Sequence, residues 1–266
     1  MILFDFIFGR KKRDFSKEPP SVPDKTRIYA IGDIHGRADL LEALHENILN
    51  DAKTAHGDME MVVVYLGDYM DRGAQSRQAL DMLIASPLVD FEHVYLKGNH
   101  DDALLTFLED SSIGPDWFSI GGDACLYSYQ IPPQNGLSAR KKFKQLQEGL
   151  RSALPDDHLA FLSNLKLIYE AGDYIFVHAG VMPGRPLSKQ NPAHLMWVRD
   201  EFLNDERNYG KIIVHGHTIT AKPDIRANRI GIDTGAYATG ILTCLVLEGT
   251  QRRFLTTEAV GLSKPA

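Results

Sequence analysis

Carboxylate, amide and imidazole side chains recur in short glycine-containing segments of this sequence. Five such segments follow apolar runs: GDIHG at residues 32–36, GDYMDRG at 67–73, GNHDD at 98–102, HAG at 178–180 and HGHT at 215–218. Oxygen and imidazole ligands without a thiolate suit Mn, Fe or Zn better than copper(I) or an iron-sulfur cluster. If the fold gathers these segments, the chemistry they offer is that of a divalent metal site.

The apolar runs before these segments have the length and composition of buried β-strands. They are RIYAIG, MVVVYL, HVYLK, YIFV and KIIV, and a sixth run, ILTCLVL, follows later. Between the early runs, residues 40, 41, 44 and 48 are apolar at helical spacing, as are residues 80, 83 and 84. This alternation predicts an α/β fold. In such folds sites assemble beyond the carboxyl ends of the strands, which is where all five segments fall.

Each segment alone also has an ordinary structural explanation. An aspartate after a strand is commonly a helix N-cap, a glycine there serves a tight turn, and a single histidine is more often a core residue than a ligand. Taken together, however, these explanations would have to place six ligand-type side chains at one sheet edge by chance. We therefore interpret the five segments jointly as a metal site.

The composition limits the classes to which this chain can belong. It has 266 residues, of which 44% are hydrophobic, and a formal net charge of −6. General nucleic-acid binding is not expected, because it requires a basic surface that neutralises phosphates. The two cysteines, Cys125 and Cys244, form no CxxC motif, so neither a disulfide framework nor a thiolate metal site is expected. A reducing compartment fits, and we predict a cytoplasmic location.

One catalytic domain is expected over residues 26–257, with flexible tails at 1–25 and 258–266. Within it, residues 102–170 are rich in helix formers and predict a mostly helical, cap-like segment over one end of the sheet. The first residues, MILFDFIF, are too short to span a bilayer and precede the basic GRKKR. Two interpretations of this tail stay open: a disordered segment, or a weak contact with an anionic membrane surface.

The segments GDIHG, GDYMDRG and GNHD resemble the three signature blocks of the phosphoprotein phosphatase family of metallophosphoesterases. HAG, HGHT and IDTGA resemble its downstream blocks, particularly those of bacterial and lambda phage-type serine/threonine protein phosphatases. The resemblance runs from about Arg27 to about Leu247. It implies the calcineurin-like α/β sandwich and direct hydrolysis by a water that two divalent ions activate. Mn is the expected metal, with Fe or Zn as alternatives.

The resemblance also implies roles for individual residues. Those expected to hold the two metals, with Asp68 bridging them, are Asp33, His35, Asp68, Asn99, His178 and His217. His100 is implied as the general acid that protonates the leaving oxygen, and Asp71 as the carboxylate that orients it. Arg72 is implied as the phosphate clamp, since its guanidinium fork matches two phosphate oxygens, and Asn99 borders the same phosphate. Arg199 is the candidate for a second clamp, its alternative being an arginine in a surface salt bridge.

Two positions leave alternatives open. Both His215 and His217 of HGHT are candidate ligands; the family pattern places the ligand before the threonine, which selects His217 and leaves His215 structural. Typical protein phosphatases carry Glu where this chain has Asp101, whereas GNHD is familiar from the related diadenosine tetraphosphate hydrolases. The DRG at residues 71–73 argues in the opposite direction, because the resemblance implies that those hydrolases lack its aspartate.

Three functional hypotheses follow. The leading one is a serine/threonine protein phosphatase that acts on a phosphorylated protein or peptide. The alternative is a hydrolase of dinucleoside polyphosphates with the same metal core. The third, an inactive binding module on the same fold, is disfavoured because all the ligand types are retained. The sequence gives no indication of the oligomeric state.

Overall fold

A computed structural model describes residues 18–85 and 88–257 of the chain. Within these residues the fold consists of two five-stranded sheets packed face to face, with helices on their outer faces. This is the α/β sandwich that the sequence predicts. Residues 1–17 and 258–266 of the predicted tails lie outside the described residues.

The first sheet has the strand order β10-β9-β1-β2-β3. Its strands are β1 (Thr26–Ile31), β2 (Glu60–Tyr65), β3 (Phe91–Tyr95), β9 (Thr243–Glu248) and β10 (Gln251–Thr256). β1, β2 and β3 run parallel to one another, whereas β9 is antiparallel to both of its neighbours. The parallel strands therefore end at one common edge of this sheet.

The second sheet has the strand order β4-β5-β6-β8-β7. Its strands are β4 (Ile168–Ala171), β5 (Tyr174–Val177), β6 (Ile212–His215), β7 (Asp224–Ile225) and β8 (Arg229–Gly231). β5, β6 and β8 are parallel, and the two outer strands are antiparallel to their neighbours. This sheet thus also has a parallel centre with a common carboxyl edge.

The helices connect the strands. They are α1 (Ala38–Ala52), α2 (Ser76–Ile84), α3 (Asn99–Glu109), α4 (Gly114–Ser119), α5 (Asp123–Ser128), α6 (Ala139–Ala153), α7 (Asp156–Ser163), α8 (Pro192–Trp197), α9 (Asp200–Leu203) and α10 (Ala236–Thr239), with short 3-10 helices at Ser111–Ile113 and Leu187–Lys189. Among the residues described, none of these helices is both long enough and apolar enough to cross a bilayer.

Alternating side chains of the central strands fill two hydrophobic layers. In β1, Ile28 and Ala30 face the second sheet and join the core between the sheets, while Tyr29 and Ile31 face the helices. All six residues of β1 are buried, as expected for a strand covered on both faces. A third cluster, which includes Ile175 and Phe202, packs α8 and α9 on the outer face of the second sheet.

The helical segment after β3 belongs to the same core as the first sheet. Leu104 of α3, Trp117 of α4 and Phe143 of α6 join the hydrophobic cluster that contains Tyr29. The helices α3 to α7 therefore cover the outer face of the first sheet. The turn between α4 and α5 reaches the carboxyl edge of this sheet, where the carbonyl of Gly121 accepts a hydrogen bond from the Arg72 backbone N–H at 3.0 Å.

All six strands predicted from apolar runs are present, and Leu40, Leu41, Leu44 and Ile48 form the buried face of α1. The sequence did not predict β4, β7, β8 or β10. β7 and β8 are only two and three residues long, and β10 is an edge strand whose residues are exposed or half-buried. Such strands lack the apolar run by which a buried strand is recognised.

Candidate metal centre and active site

The site lies at the carboxyl ends of parallel strands from both sheets. Segments 32–36, 67–73 and 98–102 follow β1, β2 and β3, while 178–180 and 215–218 stand at the ends of β5 and β6. Backbone hydrogen bonds join neighbouring loops: the His35 N–H donates to the Asp68 carbonyl at 2.8 Å, and the Gly73 N–H donates to the His35 carbonyl at 3.1 Å. The sheet register thus brings segments distant in sequence to one place.

The first cluster of predicted ligands contains Asp33, His35 and Asp68. His35 Nε2 lies 4.0 Å from Asp33 Oδ2 and 3.5 Å from Asp68 Oδ2. None of the three residues is more than 2% exposed. His100 stands beside them, with Nε2 3.9 Å from Asp68 Oδ2.

The second cluster contains Asn99, His178 and His217 around the same carboxylate. His178 Nε2 lies 3.4 Å from Asp68 Oδ2, 2.9 Å from Asn99 Oδ1 and 3.2 Å from His217 Nδ1. The structure therefore assembles all six predicted metal ligands. Asp68 is shared by both clusters, which is the placement that a bridging ligand requires.

In His35 and His178, a hydrogen bond from one ring nitrogen to a backbone carbonyl determines which nitrogen faces the clusters. Nδ1 of His35 lies 2.9 Å from the Met70 carbonyl, and Nδ1 of His178 lies 2.9 Å from the Leu66 carbonyl. Because a carbonyl oxygen can only accept a hydrogen bond, Nδ1 of each histidine must carry the proton and donate it. In the neutral ring, Nε2 then has a free lone pair. Burial keeps the His178 ring neutral by lowering its pKa to about 3. Histidines that bind metals are commonly oriented in this way.

The Nε2 lone pairs of His35 and His178 both lie beside Asp68 Oδ2, and a cation bound there would satisfy them. Nε2 of His35 is buried and has no hydrogen-bond partner in the described part of the chain. Buried polar atoms without partners are rare because they cost desolvation free energy. The clusters therefore suit a dinuclear centre of divalent ions with oxygen and nitrogen ligands.

The two aspartates also favour a cation. Burial, followed by the charge of Asp233, raises the pKa of Asp33 well above its usual range; burial, followed by the charge of Asp101, does the same for Asp68. Backbone groups partly oppose this, since the His217 N–H donates to Asp33 Oδ2 at 3.0 Å. A nearby metal charge would return both carboxyl groups to the ionised form.

The backbone is strained where these loops meet. Of the eight described non-glycine residues with positive φ, five are predicted site residues: His35, Asp68, Asp71, Arg72 and His217. Such conformations persist only where the surrounding structure fixes them, and they concentrate at functional sites. Two glycines allow the aspartate side chains to approach the backbone closely. A Cβ on Gly98 would lie 2.0 Å from Asp68 Oδ1, and one on Gly216 would lie 2.0 Å from Asp33 Oδ1.

His100, Asp71 and Arg72 form one hydrogen-bonded group beside the clusters. Nδ1 of His100 lies 2.8 Å from Asp71 Oδ2, which also accepts from Trp117 Nε1 at 2.9 Å. Arg72 Nη2 lies 3.1 Å from Nε2 of His100. Because a guanidinium can only donate, Nε2 is the acceptor and the proton of the neutral ring sits on Nδ1.

The charges around this group decide its protonation. Burial, then the charges of Arg72 and Arg199, lower the pKa of His100 to about 3, while burial raises the pKa of Asp71 to about 8. The pair therefore retains a proton at neutral pH. As long as Arg72 donates to Nε2, that nitrogen is occupied as an acceptor; without this hydrogen bond, Nε2 is free to carry a proton.

Arg199 follows α8 and lies near the clusters, although its side chain is exposed. After the larger effect of burial, its charge helps to lower the pKa values of His178 and His217. The position is compatible with a second phosphate clamp, a role that stays a prediction.

The two histidines of HGHT occupy different environments. His217 belongs to the second cluster, whereas the ring of His215 packs edge-on against Phe202 at 5.2 Å. Nδ1 of His215 donates to the Gly216 carbonyl at 3.0 Å, and its Nε2 lies 3.5 Å from Arg229 Nη1. These contacts place His215 in the packing behind the site.

Two aspartates of the site received no role from the sequence. Asp101 accepts three backbone hydrogen bonds, from Gly98 at 2.8 Å, Asp68 at 2.9 Å and Tyr69 at 3.1 Å, and so joins the second and third loops. Asp233 of IDTGA lies next to Asp33; it accepts from the Gly235 N–H at 2.8 Å through Oδ1, while its buried Oδ2 has no partner within the described residues. IDTGA follows β8, so recognition of that short strand would have added Asp233 to the set of strand-end carboxylates.

Aromatic residues also border the site, and nothing in their sequence context marks them. Tyr237 lies under the Arg72 guanidinium at 4.9 Å and 5.5 Å from the His35 ring. The Trp197 ring lies 6.3 Å from the His217 ring. Both side chains are partly exposed, Trp197 at 46% and Tyr237 at 37%.

The sandwich and the clustered Asp, Asn and His side chains define a metallophosphoesterase. The chain belongs to the calcineurin-like phosphoesterase family, whose model matches residues 26–238. It is accordingly a hydrolase of the metal-dependent phosphoesterase class, as expected from the signature segments.

Three comparisons show which known proteins this chain is similar to. The asymmetrical bis(5'-nucleosyl)-tetraphosphatase PrpE of Geobacillus thermodenitrificans is 30% identical over 82% of this chain and 89% of its own length. A serine/threonine-protein phosphatase of Arabidopsis thaliana, BSL2, is 36% identical over 35% of this chain and 9% of its own length. A solved structure provisionally named a diadenosine tetraphosphatase has a TM-score of 0.57 at 21% identity, over 90% of this chain and 99% of the other, which shows a common fold.

Proposed function

We propose that this protein hydrolyses a phosphoanhydride bond of dinucleoside polyphosphates. The observation that carries this proposal is the similarity to the Geobacillus tetraphosphatase, because it extends over most of both chains. The phosphatase of Arabidopsis matches only about a third of this chain. The proposal therefore reverses the order of the two leading hypotheses from the sequence.

The resemblance counted the aspartate of DRG, Asp71, against a dinucleoside polyphosphate substrate, but the geometry of Asp71 suits either substrate class. Asp71 holds His100 through a 2.8 Å hydrogen bond, and that arrangement serves proton delivery to any leaving oxygen. A nucleotide and a serine side chain both leave through an oxygen. Asp71 therefore supports a hydrolase in general and does not select between the two substrate classes.

In this function, Asp33, His35 and Asp68 would hold one metal, and Asp68, Asn99, His178 and His217 the other. Bound divalent ions, of which Mn is our first choice, would polarise the phosphoryl oxygens and activate water. Arg72 and Arg199 would bind phosphate oxygens. His100, oriented by Asp71, would deliver the proton to the leaving oxygen.

A protein serine/threonine phosphatase is the second candidate, supported by the local similarity to the Arabidopsis enzyme and by the signature segments. One metal-loaded preparation should be given diadenosine tetraphosphate and a phosphoserine peptide in parallel. We expect the higher kcat/KM for the dinucleotide, with no turnover of either substrate after chelation. A higher kcat/KM for the peptide would replace the proposed function by the second candidate.

A further inference from the structure

A cavity of about 320 Å³ opens beside the metal clusters, between α3, α4 and the end of α8. Its apolar wall includes Ala103, Ile113, Ile120 and the indole of Trp197, and the carboxylates of Asp102 and Asp116 also line it. Its volume is at the lower end of the range of about 300 to 1,000 Å³ found for small-molecule sites.

The cavity adjoins the place where a phosphate would bind. The Ile120 carbonyl accepts from Arg72 Nε at 3.3 Å, and the Trp197 ring lies 6.3 Å from that of His217. Asp102 stands two residues after His100 in α3. A ligand with a phosphate at Arg72 can therefore place its next group in this cavity.

The chemistry of the cavity favours a particular kind of group. Trp197 is 46% exposed although its neighbours Met196 and Val198 are buried, so its ring is available to a planar ligand. Carboxylates repel a second phosphate or an acidic side chain, and they accept hydrogen bonds from amino and hydroxyl groups. A nucleoside combines a flat aromatic base with amino and hydroxyl groups that can donate to these carboxylates. A phosphopeptide rarely presents both features next to its phosphate.

We propose that this cavity is a nucleoside subsite in which a base stacks on Trp197 and its amino or ribose hydroxyl groups donate to Asp102 and Asp116. The inference rests on the proposed function, since it assumes a nucleotide substrate. It assigns base recognition to the end of α8, apart from the residues that bind phosphate or metal.

Tryptophan fluorescence tests the contact directly. The sequence has two tryptophans, and both line the cavity; because Trp117 is 1% exposed and Trp197 is 46% exposed, a ligand in the cavity should act mainly on Trp197. With metal-loaded protein we expect saturable quenching by AMP and much weaker quenching by pyrophosphate, which has no base. Trp197→Phe should remove most of the AMP effect and leave only the contribution of the buried Trp117. Equal effects of AMP and pyrophosphate, or undiminished quenching by AMP in Trp197→Phe, would overturn the subsite.

Kinetics test its use in turnover. Removal of a base-stacking aromatic typically weakens binding by about 5- to 150-fold. For Trp197→Ala we expect the ratio of kcat/KM for diadenosine tetraphosphate to kcat/KM for p-nitrophenyl phosphate to fall at least about tenfold, mainly through KM for the dinucleotide. Trp197→Phe should restore much of the ratio. Tyr127→Ala, at a tyrosine that is 74% exposed on α5, is the matched control and should leave it unchanged.

The outcomes separate the two proposals. If the wild-type protein does not hydrolyse the dinucleotide but AMP still quenches Trp197, the proposed function fails and the nucleoside subsite stands. The subsite fails and the proposed function stands if the dinucleotide is hydrolysed but Trp197→Ala lowers kcat/KM for both substrates by the same factor. The same conclusion follows if Trp197→Ala changes kcat/KM for neither substrate.

Discussion

Asp101 is expected to be the largest single contributor to the stability of the site outside the metal ligands. Its carboxylate is fully buried and accepts the backbone N–H groups of Gly98, Asp68 and Tyr69 at 2.8 to 3.1 Å. The donors lie on two different loops. The change that tests this connection is Asp101→Ala.

The magnitude follows from the three donors. Each buried N–H left without an acceptor costs about 1 to 3 kcal/mol, and water that enters the space of the lost carboxylate recovers part of it. We therefore expect Asp101→Ala to lower the free energy of unfolding by about 3 to 5 kcal/mol. Asp101→Asn keeps one acceptor oxygen and should cost about 1 to 2 kcal/mol.

Urea denaturation of the metal-free protein measures these differences without interference from the metal. Asp102→Ala is the matched control, because the neighbouring Asp102 side chain is 40% exposed and forms a 3.6 Å ion pair with Lys97, which is worth about 0 to 1 kcal/mol. A loss below about 1 kcal/mol for Asp101→Ala would show that the loops are held together by other contacts.

Three further predictions concern the metals and the reacting groups. His217→Ala should remove most of the bound Mn²⁺, measured by elemental analysis of the dialysed protein, whereas His215→Ala should retain the metal and lower the melting temperature; the reverse pattern would exchange their assigned roles. Because burial raises the pKa of Asp68 well above its usual range, the metal-free site should hold protons that metal binding releases, so Mn²⁺ affinity should rise with increasing pH. Calorimetry in two buffers of different ionisation enthalpy counts these protons, and a pH-independent affinity would contradict the electrostatics of the site. His100→Asn at constant metal occupancy should slow a phosphoserine peptide by a factor of about 10² to 10⁴ and p-nitrophenyl phosphate clearly less, because an alkoxide leaves far less readily than p-nitrophenolate. Equal factors in stopped assays of both esters would assign His100 to positioning.

Sequence reasoning was most successful for the buried parallel strands and for the ligand-type residues in the loops that follow them. Buried parallel strands need continuous apolar runs, and the loops after them had to contain the ligands, so β1, β2, β3, β5 and β6 could be predicted together with the six ligand-type residues that follow them. Strands β7 and β8 could not, since two or three residues have no periodicity. With β8 unrecognised, Asp233 had no strand end to place it at the site.

The substrate class shows where the motifs stop being informative. The signature segments contain the groups that act on a phosphoryl centre, and those groups are the same for a phosphoserine and for a nucleotide. Residues that touch the rest of the substrate come from elsewhere, as we propose for Trp197 at the end of α8. Nothing in the segment HLMWVRDEF distinguishes an exposed tryptophan beside a cavity from a core tryptophan such as Trp117.

The sequence by itself determined the α/β class, the metal-site edge and the ligand types, because apolar periodicity and donor chemistry are local properties of the chain. Tertiary structure decided which atoms meet: that Asp68 lies between two clusters, that His215 turns away toward Phe202, and that Asp101 ties two loops together through their backbone. These outcomes depend on contacts between residues far apart in the chain, and they were fixed when two sheets packed their carboxyl edges side by side.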